Sequence, residues 1–155
     1  MADPITAFTA IGLAGNVVQF VDYALKIVSK GREAYKSVDG VTDENSDIES
    51  VTEELRASSK RLSSSLANCS VLPNDTAATR EDTGLVSIAQ SCEEIAKSLI
   101  NLLDTFKVEP GKFRRIRSLG QAIKAAWKKD EVEQLEATLR SYQRQLDTRI
   151  IVSLR

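Results

Sequence analysis

The stretch "MADPITAFTAIGLAGNVVQFVDYALKIVSK", residues 1–30, decides the fold class of this chain. From Pro4 to Val21 it contains 18 consecutive residues without a charge, and Asp22 is the first charge after them. Asp3 followed by Pro4 predicts a helix start, because Asp is a favoured N-cap and Pro is favoured at the first helical position. The stretch therefore predicts a long apolar helix, and its surroundings are the first question about function.

Two apolar stripes run side by side along this helix. The first consists of Ile11, Ala14, Val18, Val21, Leu25 and Val28, and the second of Leu13, Val17, Phe20, Ala24 and Ile27. The narrow polar side consists of Asn16, Gln19, Tyr23, Lys26 and Lys30. A helix that is apolar over so much of its circumference needs several neighbours. The stripes therefore predict the central helix of a bundle.

A signal peptide and a membrane span are the alternatives for the same stretch. A signal peptide carries positive charge before its apolar region, whereas this chain has Asp3 there. The 18 uncharged residues just reach the length of a membrane span. Asn16 and Gln19 interrupt the run, however, and carrying Asp22 to the bilayer centre costs about 2.5–3.5 kcal/mol. We expect a buried bundle helix at rest, with membrane insertion as a metastable alternative.

The next part of the chain predicts two more helices joined by a loop. Its apolar residues recur at helical spacing, without the sustained alternation that is typical of a strand. A capping box of Ser46 and Glu49 opens the second helix, which we expect to stop before Pro73. A polar loop of about residues 70–84 follows, and a third helix is predicted over Leu85–Lys107.

Two further helical segments complete the prediction. The turn Pro110-Gly111 precedes a helical segment, 113–129, in which apolar residues again recur at helical spacing. Asp130 and Glu133 form a capping pair for a last helix. We therefore predict a single all-α domain over residues 1–155, an antiparallel four- to five-helix bundle with long helices.

The composition argues against several classes of function. The chain has no histidine, which removes the usual general base and the commonest metal ligand. It has no P-loop motif, and its formal net charge of −1 does not favour nucleic acid. Cys69 and Cys92 lie far apart in the sequence and are expected to fill gaps in the core. We predict no enzymatic activity, no cofactor, no metal and no nucleic-acid partner.

Charge is segregated along the chain although the net charge is small. The segment from Asp43 to Arg56 carries six acidic residues and one basic residue. The segment from Glu109 to Lys129 carries one acidic residue and seven basic ones: Lys112, Arg114, Arg115, Arg117, Lys124, Lys128 and Lys129. This basic segment fits two interpretations, a site for anionic lipid head groups or a solvated helix face partly neutralised by the acidic segment.

Both ends of the chain resemble a known family of domains. The opening "MADPITAFTAIGLAGNVVQFVDYALKIVSKGREAYKS" is similar to the start of the N-terminal domains of fungal NLR-type (STAND) proteins, which share a Met-x-Asp-Pro opening and a "QFVD" segment such as Gln19–Asp22. The closing "AIKAAWKKDEVEQLEATLRSYQRQLDTRIIVSL" resembles the end of the same domains, a Trp followed by a helix with Leu, Leu, Tyr and Leu. The chain is identified by this resemblance as a HeLo-like domain over nearly its whole length.

The resemblance implies a role in regulated cell death. HeLo-like domains are helical bundles that lie in the cytoplasm at rest, form homo-oligomers on activation and attack the cell membrane through their N-terminal helix. Carried over by position, the candidate inserting residues are Ile5, Phe8, Ile11, Leu13, Val17, Val18, Phe20 and Val21. Gly12 and Gly15 are three residues apart, so a regular glycine zipper is absent. The alternative is a non-lytic adaptor or signalling module that binds a helical protein partner, in which the first helix never leaves the core.

Overall fold

The computed structural model describes five helices. Its described residues are 4–36, 48–70, 80–108 and 119–153, and its described side chains are those of 12–36, 50–68, 84–105, 119–149 and 151. The helices are α1 (Pro4–Lys36), α2 (Ile48–Ser70), α3 (Arg80–Val108), α4 (Leu119–Ala126) and α5 (Lys129–Ser153). The described part of the chain contains no strand, so the prediction of an all-α fold with long helices is confirmed.

Helix α1 lies at the centre and contacts each of the other four helices. Its partner α2 runs antiparallel to it: Asn16 bonds Ser65, while Tyr23, two turns further along α1, bonds Val51 near the start of α2. Helix α5 is antiparallel to α1 as well. Near the middle of α1, Asp22 meets Gln143, and near its end Arg32 meets Glu136, which is earlier in α5.

The short helix α4 packs against the last turns of α1. Gly120 lies beside Lys30, whereas Ile123, one turn further along α4, lies beside Gly31. The hydroxyl of Tyr35 then reaches the carbonyl of Trp127 just after α4 ends. The last two turns of α1 are therefore enclosed by α4 on one side and α5 on another.

The core forms around the second apolar stripe of α1. Leu13, Val17, Phe20, Ala24 and Ile27 are all at most 2% exposed. In the first stripe, Val21, Leu25 and Val28 are buried, but Ala14 and Val18 are only partly so. The largest fully buried partners from the other helices are Leu55, Leu62, Leu99, Leu103, Ile123, Val132 and Leu139. The predicted apolar face of α1 is thus the face on which the other helices meet.

Helix α3 begins earlier than its apolar pattern indicated. The predicted loop of about residues 70–84 ends by Arg80, where the helix starts, so Arg80–Gly84 are helical. These residues offer no apolar period, but Glu81 and Asp82 suit the positive end of a helix dipole. Residues 71–79, within which Pro73 was expected to end α2, lie outside the described residues, as does the predicted cap Ser46.

Two local expectations from the sequence differ from the structure. Gly31, a residue type that often ends a helix, lies inside α1, which continues to Lys36. The capping bond of α5 lies two residues earlier than the predicted pair, because the backbone N–H of Lys128 donates to Glu131 Oε2 at 2.9 Å. A backbone donor leaves no trace in residue type, so the sequence pattern alone did not distinguish the two registers.

Truncating Leu139 tests the core position of α5. Leu139 is fully buried, so Leu139→Ala is expected to lower the free energy of unfolding by about 2–5 kcal/mol. Ile151 on the same helix is 58% exposed, and Ile151→Ala should change it by less than about 0.5 kcal/mol. Urea denaturation followed by circular dichroism measures both, and equal effects would contradict this orientation of α5.

Two glycine-to-alanine variants test how closely α1 is packed, and they should change the stability of the protein in opposite directions. A Cβ at Gly15 meets nothing within 4 Å, so Gly15→Ala should stabilise the protein by about 0.5–1 kcal/mol through its better helix propensity. A Cβ at Gly120 would lie 2.5 Å from the carbonyl oxygen of Lys30, so Gly120→Ala should destabilise it by about 1–3 kcal/mol. Thermal unfolding reports both; a stabilising Gly120→Ala would show that α4 does not approach α1 closely.

Candidate functional site

Four of the five predicted inserting residues whose side chains the structure describes belong to the core. Leu13, Val17, Phe20 and Val21 are at most 1% exposed, and Val18 is partly buried. The side chains of Ile5, Phe8 and Ile11 lie outside the described ones, although their backbone belongs to α1. Any membrane activity of this stretch therefore requires α1 to exchange its contacts with the bundle for contacts with lipid.

The outer side of α1 remains open to solvent. Gly12, Gly15, Gln19, Asp22 and Lys26 are exposed and follow one another at helical spacing. The first three carry no charge, so α1 is uncharged on its outer as well as its inner side until Asp22. Across residues 4–36, 48–70, 80–108 and 119–153, none of the helices combines the length and the apolar character that crossing a bilayer requires.

Neutral hydrogen bonds join the first two thirds of α1 to α2. Asn16 Nδ2 donates to Ser65 Oγ at 2.5 Å, and the Tyr23 hydroxyl donates to the carbonyl oxygen of Val51 at 3.3 Å. Burial, assisted by the carboxylate of Glu54, raises the pKa of Tyr23 above its usual range, so the phenol stays protonated and remains a donor. These bonds connect α1 to α2 without ion pairs.

A buried carboxylate joins the last third of α1 to α5. Glu136 Oε1 lies 3.2 Å from Arg32 Nη1 in an ion pair and accepts hydrogen bonds from Arg140 Nη2 at 2.9 Å and Nε at 3.1 Å. The Glu136 side chain is 4% exposed, whereas those of Arg32 and Arg140 are 39% and 53% exposed. A carboxylate that is removed from water needs such partners, because its desolvation is otherwise uncompensated. The two arginines therefore determine whether α5 can keep Glu136 buried against α1.

The same part of α1 approaches α4 closely through glycine. A Cβ at Gly31 would lie 2.5 Å from Ile123 Cγ2, so only glycine allows the two helices to come this near. The Tyr35 hydroxyl shares its proton between the carbonyls of Lys124, at 3.2 Å, and Trp127. Lys124 Nζ lies 3.4 Å from the carbonyl oxygen of Ala34 and 5.6 Å from the centre of the Tyr35 ring. Backbone and side-chain groups thus bind the end of α1 to α4 and to Trp127.

Three of the predicted head-group residues lie around the junction of α4 and α5. Lys124, Lys128 and Lys129 are exposed, but Lys129 Nζ lies 3.9 Å from Glu133 Oε1. Asp130 and Glu131 stand in the same first turn of α5. The acidic neighbours seen here thus belong to α5, immediately after the basic segment. The other candidates, Lys112, Arg114, Arg115 and Arg117, lie outside the described residues.

The remaining chemistry of the described residues is limited. They contain no group of three or more His, Cys, Asp and Glu side chains that could hold a metal ion. Cys92 is fully buried, and burial raises the pKa of its thiol to about 12, so the thiol is protonated near neutral pH and fills the core as predicted. The side chain of Cys69 lies outside the described ones. No family model, curated protein or solved structure matches this chain.

Sequence reasoning missed Glu136 and Gly31, which both occupy inner positions of their helices. Glu136 follows Val132 by four residues and precedes Leu139 by three, which is the spacing of a buried face. Gly31 follows Ile27 by four residues and continues the second apolar stripe. An acidic residue or a glycine in the middle of an apolar stripe was the available indication of a buried ion pair or a close helix contact.

Removing the two arginines of the Glu136 cluster should lower the free energy of unfolding more than neutralising Glu136 does. Arg32→Met with Arg140→Met leaves a buried carboxylate without partners and should cost about 3–5 kcal/mol of unfolding free energy. Glu136→Gln should cost only about 1–2 kcal/mol, since the side chains of Arg32 and Arg140 are 39% and 53% exposed and both remain in contact with water.

Urea denaturation of these variants provides the comparison. Adding Glu136→Leu to the two methionine changes should restore most of the stability, because the site then buries no charge. A loss for Glu136→Gln that equals or exceeds that of the double methionine variant would contradict the assignment of Glu136 as the group that needs compensation.

Proposed function

We propose that this chain is a HeLo-like effector domain of the fungal NLR type, which executes regulated cell death. It is cytoplasmic at rest, forms homo-oligomers on activation and then targets anionic lipids of the cell membrane through α1. The observation that carries the proposal is that the uncharged stretch Pro4–Val21 belongs to the helix at the centre of the bundle. The proposal assigns the domain no catalysis, cofactor or nucleic acid.

The energetics of burial support a resting state that is stable in water. Leu13, Val17, Phe20 and Val21 would each lose about 1.5–3 kcal/mol on exposure to water, roughly 6–12 kcal/mol together. Acyl chains offer these side chains an environment as apolar as the core, so a membrane removes most of this cost. Release of the stretch is therefore unfavourable in solution and becomes accessible at a lipid surface.

The charge distribution supports the same proposal. Between Pro4 and Val21 no charged side chain on either side of α1 has to enter lipid with the helix. Lys124, Lys128 and Lys129 are exposed and belong to the basic segment 109–129. Basic residues near an anionic surface contribute about 1 kcal/mol each, and the acidic first turn of α5 lowers that contribution locally.

A second function has an observation in its favour. The contacts of α1 with α2, α4 and α5 extend from Asn16 to Tyr35, which favours a helix that stays in place. The protein would then be a non-lytic adaptor that binds a helical partner through the outer faces of the bundle. In cells, a crosslink between α1 and α2 would leave such signalling intact, whereas it would abolish killing by a released helix.

Vesicle leakage tests the first function. We expect the protein, fused to an inducible oligomerisation module, to release an entrapped dye from phosphatidylserine-containing vesicles at micromolar concentration once oligomerised. Vesicles of phosphatidylcholine alone should stay intact, because they lack the negative surface that attracts the basic segment. If neither the free nor the oligomerised protein releases dye from anionic vesicles, the proposed function is wrong.

Two charge-reversal variants separate lipid recognition at the α4–α5 junction from a general effect of net charge. Replacing Lys124, Lys128 and Lys129 with Glu should lower binding to anionic vesicles at least tenfold. Replacing Lys60, Lys97 and Arg144 with Glu changes the net charge equally on the exposed surfaces of α2, α3 and α5. This control should bind more tightly than the first variant in a sedimentation assay, and equal losses would show that the α4–α5 junction has no special role.

A further inference from the structure

We propose that α1 consists of two segments with different tasks. The segment up to Ala24 is releasable, and the segment from Lys30 to Lys36 is a fixed anchor that stays bound to α4 and α5. The inference rests on the proposed function, since it specifies which part of α1 leaves the bundle. It comes from the different kinds of contact that the two segments make.

The anchor is bound by contacts that lipid cannot replace. The Glu136 carboxylate is 4% exposed and holds Arg32 at 3.2 Å, and acyl chains offer no partner for either charge. Because Gly31 has no side chain, Ile123 packs directly on the backbone of α1. Gly120 likewise lets the backbone of α4 approach the carbonyl of Lys30. Such close approaches fix the helices at one position along their axes.

The anchor is also the charged part of α1. Lys30, Arg32, Glu33 and Lys36 fall within seven residues, whereas Asp22 is the only charged residue between Pro4 and Ala24. In addition, the Tyr35 hydroxyl and Lys124 Nζ bind backbone carbonyls across the contact with α4. Charge, backbone bonding and close packing therefore coincide in the last two turns of α1.

The releasable segment is bound mainly by apolar packing. Leu13, Val17 and Phe20 fill the core but make no directional bonds, so acyl chains offer them an equivalent environment. The polar bonds of this segment, from Asn16 to Ser65, from Tyr23 to Val51 and from Gln143 to Asp22, lie at exposed or partly buried sites where water can replace them. The boundary between the segments falls in residues 25–29, before the first anchor contact.

Hydrogen exchange in the absence of lipid tests the anchor independently of the proposed function. In mild urea, the amides of residues 12–24 should exchange at least tenfold faster than those of residues 30–36, because the releasable segment opens first. Glu136→Gln should raise exchange in residues 30–36 at least tenfold and leave residues 12–24 unchanged. Equal protection along α1, or uniform loss of protection in Glu136→Gln, would overturn the inference.

Two matched crosslinks test the consequence at a membrane. In a Cys69→Ser background, Asn16→Cys with Ser65→Cys joins the releasable segment to α2, and Tyr35→Cys with Trp127→Cys joins the anchor to the residue that follows α4. Cys92 is retained because its buried thiol has a pKa of about 12. A reversible bis-methanethiosulfonate crosslinker closes each pair, and a reducing agent reopens it.

Dye release from phosphatidylserine-containing vesicles gives the result. The Asn16→Cys/Ser65→Cys crosslink should abolish release and reduction should restore it, whereas the Tyr35→Cys/Trp127→Cys crosslink should leave release within twofold of the reduced form. If both crosslinks abolish release, the whole of α1 must leave and the inference is wrong while the proposed function stands. If neither reduced form releases dye, the proposed function is wrong, and the exchange pattern alone decides whether the anchor exists.

Discussion

The burial of Leu13, Val17 and Phe20 on the inner face of α1 is the constraint on which the rest of the structure depends. Each of the other helices packs against this one, so a change in α1 affects every interface that it shares. Helices need such a partner because each buries only one stripe of its surface. Here the partner is shared, since the apolar surface of α1 is wide enough for several neighbours.

The two ends of the α1 interface differ in the forces that stabilise them. Around Phe20 the contacts are apolar and depend only on the exclusion of water, so another apolar environment can replace them. Around Arg32 they depend on the buried carboxylate of Glu136 and on the close packing at Gly31, which need particular partners at fixed positions. The proposed function requires the first kind of contact to be exchangeable and the second to persist. A domain held entirely by either kind would not separate a resting from an active state along one helix.

The all-α fold and most of the core followed from the sequence, because both arise from helical periodicity. Val17, Leu62, Leu99 and Leu139 are buried where the apolar spacing predicted. The limits of the helices were harder to predict, since Arg80–Gly84 form a helical turn without an apolar residue. The orientation of α4 also depends on its contact with α1, which a local pattern does not contain.

The candidate site likewise contains one part that the sequence predicted and one part that it did not. Residues 13–21 were identified because a long uncharged run is visible in the sequence itself. The cluster of Arg32, Glu136 and Arg140 was not, because ionic pairing between residues about a hundred positions apart depends on how α1 and α5 are packed. Glu136 looks like any other acidic residue of a charged helix until its neighbours are known. The sequence thus indicated the segment that we propose to move, and the structure shows which contacts hold the rest of the helix in place.

The most direct test of this account measures the depth of single tryptophans in the bilayer. In a Trp127→Phe background, Val18→Trp places the probe in the releasable segment, and Glu33→Trp places it at an exposed position of the anchor. With phosphatidylserine-containing vesicles whose acyl chains carry bromine, we expect strong quenching of the fluorescence of the first variant and none of the second. Absence of quenching in both variants, or equal quenching in both, would contradict the central claim that only the first part of α1 enters the membrane.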